Sequence, residues 1–113
     1  MTINSQLLKG TLDGAILIVI SKGETYGYEI TKKLEIIGFL SIAAGTIYPI
    51  LQKLEREAYI TGAMKASSEG PKRKYFTITQ KGLDKLHAFF NDWATLTVAM
   101  ENLIQEFESG EDK

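Results

Sequence analysis

The sequence predicts a mainly α-helical chain with one small β-hairpin. A helical stretch from Gly45 to Glu55 carries small and polar side chains along one face. The segment Gly70–Phe76 follows and leads three consecutive cations through a turn into a strand, and from Gln80 to Glu108 apolar residues repeat at helical spacing. A helix that fits a DNA groove beside a basic hairpin is typical of a winged helix-turn-helix, here followed by a long C-terminal dimerisation helix.

Length and composition indicate one globular domain. The chain has 113 residues, of which 44% are hydrophobic and 24% charged, as is ordinary for a soluble protein. It has no cysteine, which excludes disulfides and thiol chemistry and fits a reducing cytosol. The longest apolar run, Ala15–Ile20, is too short to span a bilayer and has no basic segment before it. We therefore expect a cytoplasmic protein with no membrane partner.

The net charge of −1 hides a strong gradient along the chain. Residues 1–60 carry six cations and six anions, and residues 61–90 carry six cations and two anions. Residues 91–113 carry one cation and six anions. Because salt screens charges beyond about 8 Å under physiological conditions, the acidic C-terminal end does not prevent the basic middle of the chain from binding a polyanion.

Two helices are expected before the groove-sized helix. The first is predicted from about Gln6 to Ile20, with Ser5 as its N-cap, because apolar side chains recur there at helical spacing. A polar turn follows. The second helix is predicted from about Tyr26 to Ile37, and Gly38 ends it.

The third helix is predicted to end near Arg56 or Glu57, and its start is complicated by Pro49. Its inward-facing side chains are predicted to be Ile47, Ile50, Leu51 and Leu54. Proline cannot donate a backbone hydrogen bond and clashes with the carbonyl four residues earlier. Either the regular helix begins near Gly45 and leaves Pro49 in its first turn, or a longer helix is distorted there.

After the third helix the pattern changes to the alternation of a β-hairpin. Ile60 and Met64 alternate with small and polar residues, a loop is expected over Ser67–Pro71, and a second alternating segment follows. Thr79 is the predicted N-cap of the last helix, which should run from about Gln80 to Glu108.

Large apolar side chains on the last helix keep the three-four spacing of a heptad seam. They are Leu86, Phe89, Trp93, Leu96, Met100, Leu103 and Phe107. The earlier helices must cover one another, so this seam predicts a homodimer. The expected organisation is a DNA-binding unit over residues 1–79 and a dimerisation helix with an acidic tail over residues 80–113, packed as one compact unit.

Five segments in this order carry a family resemblance: Tyr26–Ile30, Gly45–Pro49, Leu51–Glu55, Gly70–Phe76 and Thr77–Gly82. Together they resemble the PadR-like family of bacterial transcriptional regulators, over about residues 7–107. The short C-terminus is similar to the small subgroup of that family. One departure is Ala58, where the family usually has glycine to end the recognition helix.

For the third helix, a DNA-binding role would direct one set of residues outward: Ala43, Thr46, Pro49, Gln52 and Lys53. Gln52 can pair with adenine, Thr46 can meet a thymine methyl, and Lys53 can reach guanine or phosphate. Tyr48 is expected to donate to a phosphate. An ordinary surface helix would accommodate any one of these residues, and the resemblance favours DNA.

Lys72, Arg73 and Lys74 are expected to contact the DNA backbone, with Arg73 a candidate for the minor groove. A lone basic triplet is more often a solvated hairpin tip, but this one lies where a wing meets DNA. Lys9, Lys32 and Lys33 are further candidates for phosphate contacts.

Trp93 has two interpretations. A large aromatic at a heptad position is usually interface core. The resemblance implies instead that, in several small members of the family, a tryptophan on this helix meets its symmetry mate and the pair binds flat aromatic or cationic drugs. The residues that could line such a slot are Phe89, Phe90, Leu12, Ala15 and Met100, with Asp92 or Asn91 near a cationic ligand.

No catalytic signature is present in the sequence. It has no nucleophile–base arrangement, P-loop or dinucleotide fingerprint, and the single histidine, His87, has no cysteine or second histidine to form a metal site with. We therefore expect no enzyme, cofactor or metal. The predicted function is a homodimeric repressor of a pseudo-palindromic operator, relieved by a small aromatic or cationic effector at the dimer interface. The alternatives are a winged-helix module that binds a protein without DNA, and a drug-binding protein.

Overall fold

A computed structural model describes residues 3–39, 44–68 and 70–110. Its elements, in chain order, are α1 (Ser5–Leu8), α2 (Leu12–Ser21), β1 (Thr25–Tyr26), α3 (Gly27–Ile37), α4 (Ala44–Arg56), β2 (Ile60–Ser67), β3 (Gly70–Ile78) and α5 (Gln80–Ser109). The mainly helical winged architecture that the sequence predicts is confirmed.

The single helix predicted over Gln6–Ile20 is wrong, because the structure divides this segment into α1 and α2. The break falls at Gly10, whose backbone is costly to hold in a helix, and the Thr11 amide donates back to the Leu8 carbonyl at 2.9 Å. Ser5 is not the N-cap. Asn4 caps α1 instead, and its side-chain oxygen accepts from the Gln6 amide at 2.9 Å.

The wing is part of a three-stranded antiparallel sheet in the order β1-β3-β2. Ile60 pairs with Ile78, and the ladder extends to Ser67 opposite Gly70, so both strands reach into the predicted loop. Strand β1, which the sequence did not predict, pairs Thr25 with Phe76. This pairing attaches the wing to the N-terminal end of α3.

One apolar core joins the winged helix to the start of α5. Its members come from three helices, two strands and the first turns of α5: Leu12, Ala15, Ile16, Leu17, Ile20, Ile30, Leu34, Ile47, Leu51, Leu54, Ile60, Phe76 and Leu86. The inward positions predicted for the third helix are confirmed, with Ile47, Leu51 and Leu54 buried and Ile50 packed against the core.

The N-terminal end of α5 is fastened to the C-terminal end of α4. Thr79 is the N-cap, as predicted, and its hydroxyl accepts from the Gly82 amide at 3.0 Å while it donates to the Ala58 carbonyl at 2.7 Å. Lys81 Nζ donates to the Glu57 carbonyl at 2.8 Å. A side-chain carbon on Gly82 would lie 2.1 Å from the Tyr59 carbonyl oxygen, so only glycine permits this close approach.

Helix α5 continues well beyond the core. Leu86 is buried and Phe89 packs on the core, where its ring occupies the space that a side chain at Gly14 would need. The first two positions of the predicted heptad seam therefore serve the protomer itself. The exposed apolar part of the seam begins with Trp93, and the exposed Phe90 lies beside it.

Helix α4 ends with a residue in the left-handed conformation, and that residue is Ala58, with φ of 65°. The Tyr59 amide donates to the Leu54 carbonyl at 2.9 Å and the Ala58 amide to the Glu55 carbonyl at 3.0 Å. These two bonds form a Schellman motif, in which the left-handed position usually belongs to glycine. Helix α3 ends on the same pair of bonds with Gly38 at that position.

Replacing Ala58 with glycine is expected to stabilise the protein by about 0.5–1 kcal/mol, because relief of the left-handed strain exceeds the extra entropy of the unfolded chain. The midpoint of thermal unfolding should rise by roughly 2–5 °C. Ala63→Gly, on strand β2, is the matched control and should lower the midpoint. An unchanged or lowered midpoint for Ala58→Gly would contradict the strain argument.

Candidate nucleic-acid interface

Helix α4 presents one exposed polar stripe that is centred opposite its buried face. Successive residues turn by about 100°, which places Gly45, Pro49, Gln52 and Arg56 together and opposite Ile47 and Leu54. All four are exposed, whereas Ile47 and Leu54 are fully buried. The stripe is narrow and free of large apolar side chains, as a helix that enters a DNA groove requires.

Pro49 lies inside α4, because the described helix already begins at Ala44. Its ring nitrogen cannot donate to the Gly45 carbonyl, and that carbonyl lies on the same exposed stripe. An exposed carbonyl can be satisfied by water or by a donor on a ligand. The described helix thus begins near Gly45, as one of the two alternatives predicted, but Pro49 lies in its second turn and not in its first.

Thr46 and Lys53 lie on the flank of α4 that faces α1 and α2. They line a crevice of about 430 Å³ together with Lys9 and Asp13. Lys53 Nζ lies 2.7 Å from Asp13 Oδ2, and the two side chains are 41% and 24% exposed. The structure thus directs Lys53 toward α2, where its charge already has a partner.

Tyr48 lies on the opposite flank, where α4 faces the wing. Its ring fills the space beside Gly27, at the start of α3. A second crevice, of about 400 Å³, lies between this helix flank and strand β3. Tyr26, Tyr28, Gln52 and Arg73 also line it, so phenolic, amide and guanidinium donors converge at the junction of helix and wing.

The three cations of the wing have different surroundings. Lys74 Nζ lies 2.7 Å from Glu55 Oε1 on α4, and the Arg73 guanidinium lies over the Tyr26 ring at 4.5 Å from its centroid. Lys72 is exposed and forms no ion pair with any residue that the structure describes. Lys74 and Arg73 therefore orient the wing against α4 and β1, and Lys72 projects a charge into solvent.

Other predicted contact residues are placed as follows. Ala43 falls outside the described residues. Lys32 and Lys33 lie on α3 beside a third crevice, which Glu24 and Tyr28 also line. Arg56 was not among the predicted contact residues, although its spacing of four from Gln52 and seven from Pro49 places it on the same face.

A separate apolar surface surrounds Trp93 on α5. The Trp93 and Phe89 rings stack at 6.2 Å between centroids with an interplanar angle of 24°, and Trp93 is 47% exposed. Met100 is also exposed, two turns further along the helix. Leu12 and Ala15, by contrast, are only 3% and 7% exposed and belong to the core of the protomer. Asp92 lies beside Phe89 in a small crevice that Asp13 also lines.

The described residues include no group of three or more His, Cys, Asp or Glu side chains that could hold a metal ion. Within the same residues, no helix combines the length and apolar character needed to cross a membrane.

A polar helix stripe flanked by a cationic wing defines a winged-helix transcriptional regulator. Residues 16–88 match the Transcriptional regulator PadR-like family. The chain belongs to this family, whose members are transcriptional regulators and not enzymes.

The chain is also similar to solved structures and curated proteins from three bacteria. A PadR-like transcriptional regulator from Bacillus cereus is 48% identical, with a TM-score of 0.81 over 89% of this chain and 98% of that chain. An uncharacterised protein of Lysinibacillus sphaericus is 30% identical over 94% of this chain and 99% of its own length. The negative transcriptional regulator PadR of Bacillus subtilis is 38% identical over 70% of this chain, which spans 42% of that relative. A structure of Bacillus subtilis PadR in complex with operator DNA is 35% identical, with a TM-score of 0.64 over 71% of this chain and 46% of that one.

Proposed function

We propose that the protein is a homodimeric repressor that binds a pseudo-palindromic DNA operator. The observation that carries the proposal is the exposed stripe of α4 beside a wing oriented by Lys74 and Arg73. Residues 1–79 would bind DNA and residues 80–113 would join the protomers. The operator complex of the Bacillus subtilis relative supports DNA as the partner, and its description as a negative regulator supports repression. Such a function places the protein in the cytoplasm.

The proposed interface assigns base contacts to the exposed stripe and backbone contacts to its flanks. Gln52 is exposed on the stripe and can pair with adenine, and Pro49 beside it offers an apolar contact to a thymine methyl. Tyr48, which lines the crevice at the wing, supplies a hydroxyl for a phosphate, and Lys72 supplies an exposed cation. Thr46 and Lys9 line the crevice on the other flank, toward α2.

Dimerisation supplies the second half of the operator contact. The exposed apolar surface of α5 extends from Phe90 to Phe107, along a helix of 30 residues that is about 45 Å long. A partner helix packed on this surface would place two recognition helices on one face of the DNA. Half-sites should then lie about 34 Å apart, which is one helical turn.

The direct test is a gel-shift assay with the DNA immediately upstream of the chain's own coding sequence, at several salt concentrations. Salt-dependent binding that exceeds binding to a scrambled fragment is the expected result. A protein-interaction module would bind both fragments equally weakly, and that result would contradict the proposal. Repression follows if the bound site overlaps the promoter.

We further propose that planar aromatic cations bind at Trp93 and weaken DNA binding. The stacked Phe89 ring forms one apolar wall of the site, and Asp92 is available to a positive charge. Effector coupling is typically about 1–3 kcal/mol, which changes operator affinity by about 5- to 150-fold.

The only tryptophan in the chain makes this proposal simple to test. Titration with planar aromatic dyes is expected to quench Trp93 emission with saturation at one site per dimer. Phe89→Leu should weaken dye binding at least fivefold, because it removes a stacking partner worth about 1 kcal/mol. Phe107→Leu is the matched control, because Phe107 lies about 21 Å from Trp93 along α5. Unchanged emission across a broad dye panel would contradict the proposed site.

A further inference from the structure

We infer that Arg56 is the cation with which the recognition helix α4 contacts DNA, and that its neighbour Lys53 is not. This inference rests on the proposed operator binding and assigns a determinant of affinity and specificity within it. It reverses the choice that sequence alone favours, since Lys53 is closer to the centre of the helix.

Arg56 and Lys53 differ in their direction around the axis of α4. At about 100° per residue, Arg56 lies within about 20° of Pro49 and 40° of Gln52 around the axis of α4. Lys53 lies about 40° from Pro49 but about 100° from Gln52. It lies about 60° from Arg56, displaced toward α2. Exposure agrees with this geometry, because Arg56 is exposed and Lys53 is only partly so. Arg56 therefore shares the face of the proposed base-contacting residues.

Arg56 and Lys53 also differ in their ion pairing. Lys53 Nζ is 2.7 Å from Asp13 Oδ2 in a partly buried pair between α4 and α2. A DNA phosphate or base that took Lys53 would leave the Asp13 carboxylate unpaired beside the polyanion, which is unfavourable at short range. Lys53 is thus committed to holding the two helices together.

Among the described residues, Arg56 has no comparable partner. The residues three and four positions before it are Lys53 and Gln52, so α4 offers it no carboxylate at the spacings that pair on a helix. It forms no ion pair with any described residue. Its guanidinium is available as a planar fork of donors for two oxygen or nitrogen acceptors.

The acceptors that fit this fork on DNA are the O6 and N7 atoms of guanine or the oxygens of a phosphate. Arg56 lies about 10.5 Å from Pro49 along the helix, which corresponds to about three base steps. The inferred contact is therefore within the same groove as those of Gln52 and Pro49, toward one end of the half-site.

The test compares Arg56→Ala, Arg56→Lys and Lys53→Gln by gel shift on the operator fragment. The glutamine amide in the last of these variants would keep a hydrogen-bond donor for Asp13, so the charge is removed with the least damage to the α2–α4 contact. Arg56→Ala is expected to weaken operator binding at least tenfold, Arg56→Lys to recover part of the loss, and Lys53→Gln to change affinity less than twofold. Unfolding midpoints measured alongside verify that all three variants are folded.

Two further measurements separate the possible acceptors. If Arg56 contacts guanine, Arg56→Ala should lose affinity for the operator and change little in affinity for scrambled DNA. If Arg56 contacts a phosphate, the variant should lose similar affinity for both fragments, and its salt slope should be smaller by about 0.9 per protomer. Either pattern supports the inference. The inference would be overturned if the operator affinity of Arg56→Ala stayed within twofold of that of the unaltered protein. It would also be overturned if Lys53→Gln lost as much operator affinity as Arg56→Ala. Failure of the unaltered protein to bind any DNA would instead refute the proposed function.

Discussion

A Leu96→Glu, Leu103→Glu double variant is expected to be monomeric at micromolar concentration, where the unaltered protein is expected to be a dimer. Both side chains are more than half exposed in the single chain, and they lie seven residues apart on the same side of α5. A dimer would bury four leucines at these positions. Losing their burial costs roughly 6 kcal/mol or more, which would weaken the dimer by at least about 10⁴-fold.

Sedimentation or light scattering at micromolar concentration measures this change. Val98→Glu is the matched control, because Val98 is also exposed but lies about 200° around the helix from Leu96. It should remain dimeric. A dimeric double variant, or a monomeric control, would show that the surface between Phe90 and Phe107 is not the interface.

Operator affinity should fall when the protein can no longer dimerise. In the proposed complex each half-site contacts only one winged helix, and linking two binding units typically increases affinity by 10²- to 10⁴-fold. The double variant is therefore expected to lose at least about 100-fold in operator affinity at 0.15 M salt. Its winged helix should stay folded, because the core that contains Leu86 lies N-terminal to both substitutions.

Replacing Lys72, Arg73 and Lys74 together by alanine is expected to abolish tight binding to every DNA sequence and to flatten the salt dependence. Each phosphate contact contributes about 0.9 to the salt slope, which corresponds to about fivefold in affinity at 0.15 M salt. With two wings per dimer, loss of Lys72 alone should weaken binding about 25-fold and reduce the slope by about 1.8. Gel shifts across a salt series provide both numbers.

The structure explains why the triple variant should lose more than charge. Removing Lys74 separates the wing from Glu55 on α4, and removing Arg73 uncovers the Tyr26 ring on β1. Lys72→Arg, which keeps the charge, should bind nearly as well as the unaltered protein. If the triple variant retained full operator affinity, the wing would have no role in DNA binding.

Most of the fold could be predicted because its elements have strong periodic signals. The buried positions Ile47, Leu51 and Leu54 follow helical spacing, and Thr79 is a hydroxyl followed by a long apolar repeat. The divided first helix and the unpredicted strand β1 have local causes. Gly10 interrupts a helix whose apolar spacing continues across it, and β1 contains only two residues, Thr25 and Tyr26, which is too short for any alternation to appear.

The candidate site was less predictable than the fold. A helical pattern identifies an outward face, but it does not show that Asp13, 40 residues earlier in the chain, turns Lys53 aside. In the same way, three adjacent cations look equivalent until Glu55 and Tyr26 are placed beside two of them. Tertiary partners from distant parts of the chain decide which charges remain available to a ligand.

The junction of α4 and α5 couples the orientation of the recognition helix to that of the long helix. The end of the recognition helix is tied to the start of α5 by Thr79 and Lys81, and Gly82 fits against the Tyr59 backbone without space to slide. In the proposed dimer, a few degrees of change in the angle at which two α5 helices cross would therefore move each recognition helix by about 2 Å, because the middle of the exposed surface lies about 30 Å from Gln80. In the proposed dimer, the α5 surface between Phe90 and Phe107 would set the spacing between half-sites, although it lies far from the residues proposed to contact DNA.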